Sequence, residues 1–380
     1  MATVSLSACD RYERESLRKA IEQAILDLGG WSAFVKPKDR VFLKVNLVMN
    51  KDPELAATTH PVFVEVLAAL LIEQGCDVII GDSPGGLFNG EALKRIYKGT
   101  GIQKAAEASG ARLNWNTGAV ERENPQGKLL KRLTQTAMLQ DADKVISVSK
   151  LKTHGMMTFT GAVKNQFGTV PGTKKAEYHF RMPESADFAD ALIDICLAAN
   201  PVLCLMDGVV AMEGNGPTGG TPRKVGAVLA SENPFDLDLV AAHLIGLERE
   251  QVPTLEQAYR RGLGKASAAE VKVAGEDPER FVQKDFRMPD HIDPRLMRKF
   301  GPVGDALSSW LRPKVKFHHD RCVGCRACYQ NCPAKAITMK GRYPTVRYHQ
   351  CIRCYCCQEL CPKNAISVRE SRIMKLVNRL

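Results

Sequence analysis

At 380 residues the chain is long enough for a main domain plus a smaller module, and its 44% apolar and 25% charged content excludes a disordered chain or one held together by disulfides. No run reaches the roughly 18–20 apolar residues of a helical membrane span, and the most apolar stretch, residues 61–72, carries Glu65 inside it. The net charge of +11 suggests nucleic acid until it is divided: residues 311–380 hold 15 Lys and Arg against 3 Asp and Glu, whereas the first 310 hold 38 against 39. Residues 1–15 acquire charge at once and lack the apolar stretch of a signal peptide, so the expected location is the cytoplasm.

In chain order, an amphipathic pattern over residues 11–28, ended by Gly29 and Gly30, predicts a helix. Residues 41–45 read as a strand, followed by a helix opening at Pro61, where proline suits the first turn. Residues 76–81, 144–148, 202–206 and 225–230 read as further short strands, and 185–199 and 235–247 as helices. This alternation predicts an α/β main domain, with a mixed or parallel sheet and helices on both faces. Periodicity does not give the strand order. From residue 254 to 305 the pattern weakens among Gly262, Gly264, Pro278, Pro289, Pro294 and Pro302.

Thirteen cysteines without secretory features point to metal or redox chemistry, and nine of them lie between Cys322 and Cys361. They form a repeat 29 residues apart: Cys322-x₂-Cys325-x₂-Cys328-x₃-Cys332-Pro333, then Cys351-x₂-Cys354-x₂-Cys357-x₃-Cys361-Pro362. This is the spacing of bacterial two-cluster ferredoxins, in which the fourth cysteine of each run ligates the other cluster. The expected cofactors are two 4Fe–4S clusters, one on Cys322, Cys325, Cys328 and Cys361, the other on Cys351, Cys354, Cys357 and Cys332. Tetrahedral zinc needs four ligands and leaves cysteines over in each run. Cys356 is a ninth cysteine, read as a buried thiol or a spare ligand. Cys9, Cys76, Cys196 and Cys204 read as small apolar residues.

The expected organisation is therefore a main domain over 1–301 (core 1–250, extension 251–301), a linker at 302–313, a small α+β ferredoxin-type module over 314–370 and a basic tail at 371–380. The module's basic excess offsets anionic clusters and provides a docking face for an acidic redox partner. Nucleic acid is the weaker reading, since no aromatic RNP stretch or zinc-finger spacing is present.

Several polar elements of the main domain fall where strands should end, which is where open α/β sheets bind ligands. They are Lys44-Val45-Asn46, Thr59-His60-Pro61, Gly81-Asp82-Ser83-Pro84-Gly85-Gly86, Lys150-Leu151-Lys152-Thr153-His154 and the stretch from Gly161 through Lys164 and Asn165 to Gly168. Singly, such a histidine is more often a cap and such a lysine a solvated side chain. Together, Lys150, Lys152, His154 and Lys164 gather donors beside Met156, Met157 and Phe159, a mixture that suits a small anionic substrate. The run Gly214-Asn215-Gly216-Pro217-Thr218-Gly219 matches G-x-G-x-x-G, but a strand and not a helix should follow it, so it reads as a turn at a pocket wall. Asp236 and Asp238 sit at a helix start, where acids are favoured without any metal.

As a set, Lys44-x-Asn46, Thr59-His60-Pro61, Gly81-Asp82-Ser83-Pro84-Gly85, Lys152-Thr153-His154, Gly161-x₂-Lys164-Asn165-x₂-Gly168, Asp207-Gly208 and Met212-Glu213-Gly214-Asn215-Gly216-Pro217 resemble the family called domain of unknown function 362. Members often end in a two-cluster ferredoxin module, so the resemblance implies the fold and an anaerobic, redox-linked setting, but no reaction. A fainter resemblance, in the His and Lys elements, is to the nickel-pincer lactate racemases, whose glycine-rich stretch around the cofactor-bearing lysine is not matched here.

The leading expectation is an iron–sulfur redox protein, an oxidoreductase in form, that passes single electrons to a pocket in the α/β domain. His154 and His60 are the candidate proton donors, and Lys152 and Lys164 the groups that hold a carboxylate or phosphate. Lys44, Asn46, Asp82, Ser83, Thr153, Asn165 and Asn215 are candidate contacts to a substrate or further ligand. The alternatives are an electron carrier or maturation partner whose main domain docks another protein, and a sensor of cluster state.

Overall fold

The computed structural model describes residues 3–172, 174–289 and 313–369. The expected linker, apart from Pro313, and the basic tail lie outside the described residues.

The main domain runs β1 (Thr3–Ala8), α1 (Arg14–Asp27), β2 (Arg40–Lys44), α2 (Pro61–Glu73), β3 (Asp77–Gly81), α3 (Gly90–Gly99), α4 (Ile102–Ser109) and β4 (Arg112–Leu113). A hairpin, β5 (Ala119–Glu123) and β6 (Arg132–Thr136), leads to β7 (Lys144–His154), β8 (Thr158–Thr160), α5 (Ala162–Asn165), α6 (Lys174–Arg181) and α7 (Ser185–Ala199). Then follow β9 (Leu203–Glu213), β10 (Thr221–Ser231), α8 (Pro234–Leu244), α9 (Pro253–Arg260) and β11 (Lys272–Gly275). One sheet has the order β11-β1-β10-β9-β7-β2-β3-β4, with β8 folded back on β7. From β9 to β4 the neighbours are parallel, β10 is antiparallel to both β9 and β1, and β11 is parallel to β1. The sheet is therefore mixed.

Both faces are buried, and the strand period of two sorts the side chains between them. Leu203, Leu205, Val228 and Ala230 pack with α1 and α2, whereas Cys204, Met206, Ala227 and Leu229 pack with α8. That division explains why these strands read as unbroken apolar runs. α2 is apolar nearly all round because it lies under α1 and α4 as well as on the sheet.

Two expectations need correction. The strand begun at residue 144 does not stop at 148 but continues to His154, with a register shift against β9 between Lys150 and Lys152. Its polar residues look like a loop in sequence, yet Ser149, Lys150, Lys152, Thr153 and His154 are all buried against polar partners. The weak stretch also packs on the core from residue 254 as far as 286, since β11 extends the sheet and Phe281 and Phe286 pack under α8, whereas 290–301 of the expected extension lie outside the described residues.

The module comprises β12 (Lys314–Phe317), α10 (Ala327–Gln330), β13 (Ile337–Lys340), β14 (Tyr343–Val346), α11 (Cys356–Glu359) and β15 (Ile366–Arg369). β12 pairs with β15 and β13 with β14, both antiparallel. The sequence repeat is reproduced in the backbone: Arg326 and Tyr355 both take left-handed φ values, 62° and 58°, and Lys335 and Asn364 both take 48°. Among the described residues, no helix is long and apolar enough to cross a membrane.

Candidate functional site

The module sorts its cysteines into two cavities. Cys322, Cys325, Cys328 and Cys361 line one, and Cys332, Cys351, Cys354 and Cys357 line the other, so each fourth cysteine has crossed to the opposite group. The backbone N–H groups of Ala336 and Ala365 donate to Cys332 Sγ and Cys361 Sγ, each at 3.2 Å, which suits sulfurs that carry negative charge. No cysteine is in a disulfide. Four thiols around an apolar hollow, with amide donors on the crossing sulfurs, fit an iron–sulfur cube.

The two cavities differ in their surroundings. Around the first, Cys325 is exposed, and the exposed side chains of Arg326 and Lys363 stand at its rim. The main domain meets the module at α11, which carries Cys357 of the second cavity, and at the residues that follow it. Gln358 Nε2 donates to Asn215 O and Thr218 Oγ1 to Glu359 O, both at 3.0 Å, and Lys51 Nζ donates to Asn364 Oδ1 at 2.9 Å. Leu360 fills a notch that exists because residue 85 is glycine, where a Cβ would stand 2.8 Å from Leu360 Cδ2.

Beside this contact, between module and main domain, lies a pocket of ≈ 830 Å³ counted out to its mouth. Its main-domain wall comes from the ends of β2, β3 and β7 and from the loops around α5 and α6, and it includes Asn46, Asp82, Ser83, Lys152, His154, Thr160, Lys164, Asn165, Phe167, Lys175 and His179. Its module wall is Asn331, Cys356, Glu359 and Leu360. α11 thus has the second cysteine cavity on one side and the pocket on the other.

The frame is built from buried polar pairs. Lys44 Nζ lies 2.7 Å from Asp82 Oδ1, with both side chains buried, while Asp82 Oδ2 accepts from Leu47 N at 2.7 Å. Residue 168 must be glycine, because a Cβ there would run into the Asp82 carboxylate and the Lys44 ammonium. Asn165 ties the strands together, donating to Lys44 O at 3.0 Å and Ser147 Oγ at 3.1 Å. Asp238 accepts from Ala162 N and Val163 N and so anchors the start of α5; burial lifts its carboxyl to about 7. It thus anchors a neighbouring helix, from a position beyond the first turn of its own helix α8.

Lys152 Nζ donates to Asn46 Oδ1 at 2.7 Å and to Ala57 O, and burial, with Lys164 and Lys150 nearby, pushes its pKa well down. Lys164 has no hydrogen-bond partner among the described residues; its ammonium stands 5.6 Å from the Phe167 ring centre, and burial lowers its pKa against the pull of Glu359. Lys175 donates to the carbonyls of Ser83 and Val170 and is pushed by burial down to about 7.

His154 is fixed in the pocket wall by the backbone. Its Nδ1 accepts from the backbone N–H groups of Met156 (3.0 Å) and Met157 (3.2 Å), so the proton sits on Nε2, which lies 3.0 Å from Glu359 Oε1 but off the line of a good hydrogen bond. Burial, aided by Lys164, pushes its pKa down to about 4. Burial raises the Glu359 carboxyl, but His154, Lys164 and His179 outweigh it and hold the group at about 2.

The pocket gathers Asn46, Asp82, Ser83, Lys152, His154, Lys164 and Asn165 from the sequence-derived candidates, with Lys44 directly behind Asp82. Thr153 points the other way from β7, its hydroxyl donating to Gly214 O at 2.7 Å, and Asn215 meets the module through its carbonyl. His60 stands apart: it caps α2 and stacks on Tyr12 at 3.6 Å, over a buried group in which Lys150 Nζ meets Asp207 Oδ2 at 2.8 Å and Tyr12 Oη at 2.7 Å. Sequence reasoning missed Lys175, His179 and Glu359. The signal for Glu359 was its rarity, as one of 3 acids among the last 70 residues.

The family described as Domain of unknown function (DUF362) matches residues 41–243, and a 4Fe-4S dicluster domain matches 321–365. A relative from Synechocystis, named a thylakoid-associated protein, is 35% identical over 293 residues, covering 77% of this chain and 89% of its own. Among solved structures, the lactate racemase apoprotein of Thermoanaerobacterium thermosaccharolyticum aligns with a TM-score of 0.37 at 11% identity, over 62% of this chain and 55% of that one. A Thermotoga maritima protein aligns at 0.35 with 12% identity, over 71% and 62%. This chain thus spans less than two thirds of either solved structure.

Proposed function

We propose that this chain, which belongs to the domain of unknown function 362 family and ends in a 4Fe–4S dicluster domain, delivers electrons to an acceptor held in the pocket between its two parts. The dicluster domain itself gives the chain an iron–sulfur electron-transfer role. One cluster would be held by Cys322, Cys325, Cys328 and Cys361, the other by Cys332, Cys351, Cys354 and Cys357, and together they would supply one-electron carriers. The observation that carries the reading is the position of α11: Cys356 and Glu359 line the pocket, while Cys354 and Cys357 line the second cavity. Electrons would come from an acidic partner protein at the exposed first cavity, drawn by Arg321, Arg326, Arg342 and Lys363.

A docking-only role for the main domain explains less. Lysines buried at a pocket wall cost stability, and a surface that only docks a partner has no use for them. With His154 neutral and His60 elsewhere, a lysine of lowered pKa is the better proton donor near neutral pH. Unpaired thiols suit a reducing compartment, and a cytoplasmic location fits them; the Synechocystis relative would place the same chemistry near a membrane.

Anaerobic reconstitution should give about eight irons per chain. Replacing Lys152, His154 and Lys164 together by alanine should abolish function in a complemented deletion strain while that iron is kept. Lys164→Ala alone, which removes no hydrogen bond of the fold, should cut it at least about tenfold. Full function in both variants would reject the pocket as the acceptor site.

A pH effect follows from Lys175. Burial lowers its pKa most, Asp82 pulls the other way, Lys44 and Lys164 add to the lowering, and the group is left at about 7. Acceptor reduction should therefore fall as pH rises from about 6 to about 8, and Lys175→Met should flatten that profile.

A further inference from the structure

Resting on the reading above, we propose that the acceptor is a small organic acid whose carboxylate binds at the Ser83–Lys175 end of the pocket. Ser83 Oγ, Thr160 Oγ1 and His179 Nδ1 all belong to the pocket wall and have no hydrogen-bond partner among the described residues, although their residues are only 1%, 5% and 3% exposed. Polar atoms buried this deeply are nearly always paired, so three on one wall, beside the unpartnered ammonium of Lys164, mark a place where a ligand supplies acceptor oxygens.

Charge gives the sign of that ligand. Lys44 and Asp82 cancel, which leaves Lys152, Lys164 and Lys175 against Glu359 alone. The lysines are not spread evenly: the Phe167 ring has Lys164 at 5.6 Å and Lys175 at 5.7 Å, with the His179 ring, which burial keeps uncharged, at 5.9 Å. Glu359 lies on the module wall and repels an anion, whereas Lys175 is bound to the carbonyl of Ser83 on the opposite side. The carboxylate therefore settles beside Ser83, and the rest of the molecule extends past Phe167 towards Leu360 and Cys356. A phosphate group fits less well. No arginine lines the pocket to grip it in a fork, and the surplus of positive charge shrinks as Lys175 loses its proton.

The test uses the full chain with its clusters reconstituted and left oxidised, so that binding is read without any electron transfer. Calorimetric titration should show benzoate binding at least about tenfold more tightly than benzamide, its neutral counterpart. Acetate should compete with benzoate, and inorganic phosphate should not. Ser83→Ala and Lys175→Met should each weaken benzoate by about tenfold, with wild-type iron content and melting curve as the check on folding. If Lys175→Met does not fold, Ser83→Ala and Lys164→Met decide. Equal affinity for benzoate and benzamide, or displacement by phosphate at lower concentration than acetate, would overturn the proposal. Benzoate binding without any acceptor reduction would count against the electron-transfer reading alone. Acceptor reduction with no preference for carboxylates would count against this one alone.

Discussion

Cys354→Ser is expected to lower the iron held after anaerobic reconstitution from about eight to about four per chain and to cut acceptor reduction at least about a hundredfold. Cys354 is buried, and its cavity backs onto α11, whose Cys356 and Glu359 line the pocket. Cys325→Ser should cost the same amount of iron, but with a different consequence. It empties the exposed cavity, so electrons from a partner protein are lost while a small reductant still serves the pocket. The crossing of the fourth cysteines supplies an internal control. Cys361→Ser should remove the same paramagnetic signal as Cys325→Ser, and Cys332→Ser the same one as Cys354→Ser, because those pairs share cavities. If Cys361→Ser instead removed the signal lost in Cys354→Ser, the ligand sets would be wrong.

The largest effect on stability is expected for Asp82→Ala, at about 3–5 kcal/mol, read as a lower urea midpoint. The substitution leaves the buried Lys44 ammonium without its counter-charge and Leu47 N without its acceptor. Lys44 escapes part of the penalty by giving up its proton, and that leaves a signature in pH. Its pKa in the folded variant would lie below the unfolded value, so the unfolded chain binds the extra proton and the variant gains stability as pH rises. The gap to the wild type should narrow by about 1.4 kcal/mol per pH unit between the Lys44 pKa of the folded variant and that of the folded wild type, which burial also lowers despite the pull of Asp82. Replacing the pair together, as Lys44→Met with Asp82→Leu, should recover much of the loss, because two apolar groups need no partner. A gap that does not change with pH would show that Lys44 is already neutral in the native protein.

The sheet could be read from the sequence wherever strands are apolar on both faces, as in residues 203–206 and 227–230. It could not be read where a strand is buried among polar partners. β7 beyond Val148 is such a case: Lys150 and Lys152 are as buried as leucines, but their partners, Asp207 and Asn46, come from distant elements. Asn46, Asp82, Lys152, Lys164 and Asn165 were legible because glycine, lysine and asparagine recur at the ends of strands. Thr153 and Asn215 lay in the same motifs but serve through hydrogen bonds outside the pocket. Lys175 and His179 were hidden in a short helix that reads as a solvated surface segment, and Glu359 in a cysteine run where ligand spacing holds the attention. Glu359 in particular takes its place in the pocket from the main-domain residues it faces.

β1 has a consequence for how the protein is made. This strand lies between β10 and β11, so both of its partners are made long after it, the second only once synthesis has passed residue 275. The main sheet cannot close until then, and the cysteine-rich module is made later still. Iron would therefore be inserted into a polypeptide whose main domain is already complete, with the pocket's other wall in place to receive the module.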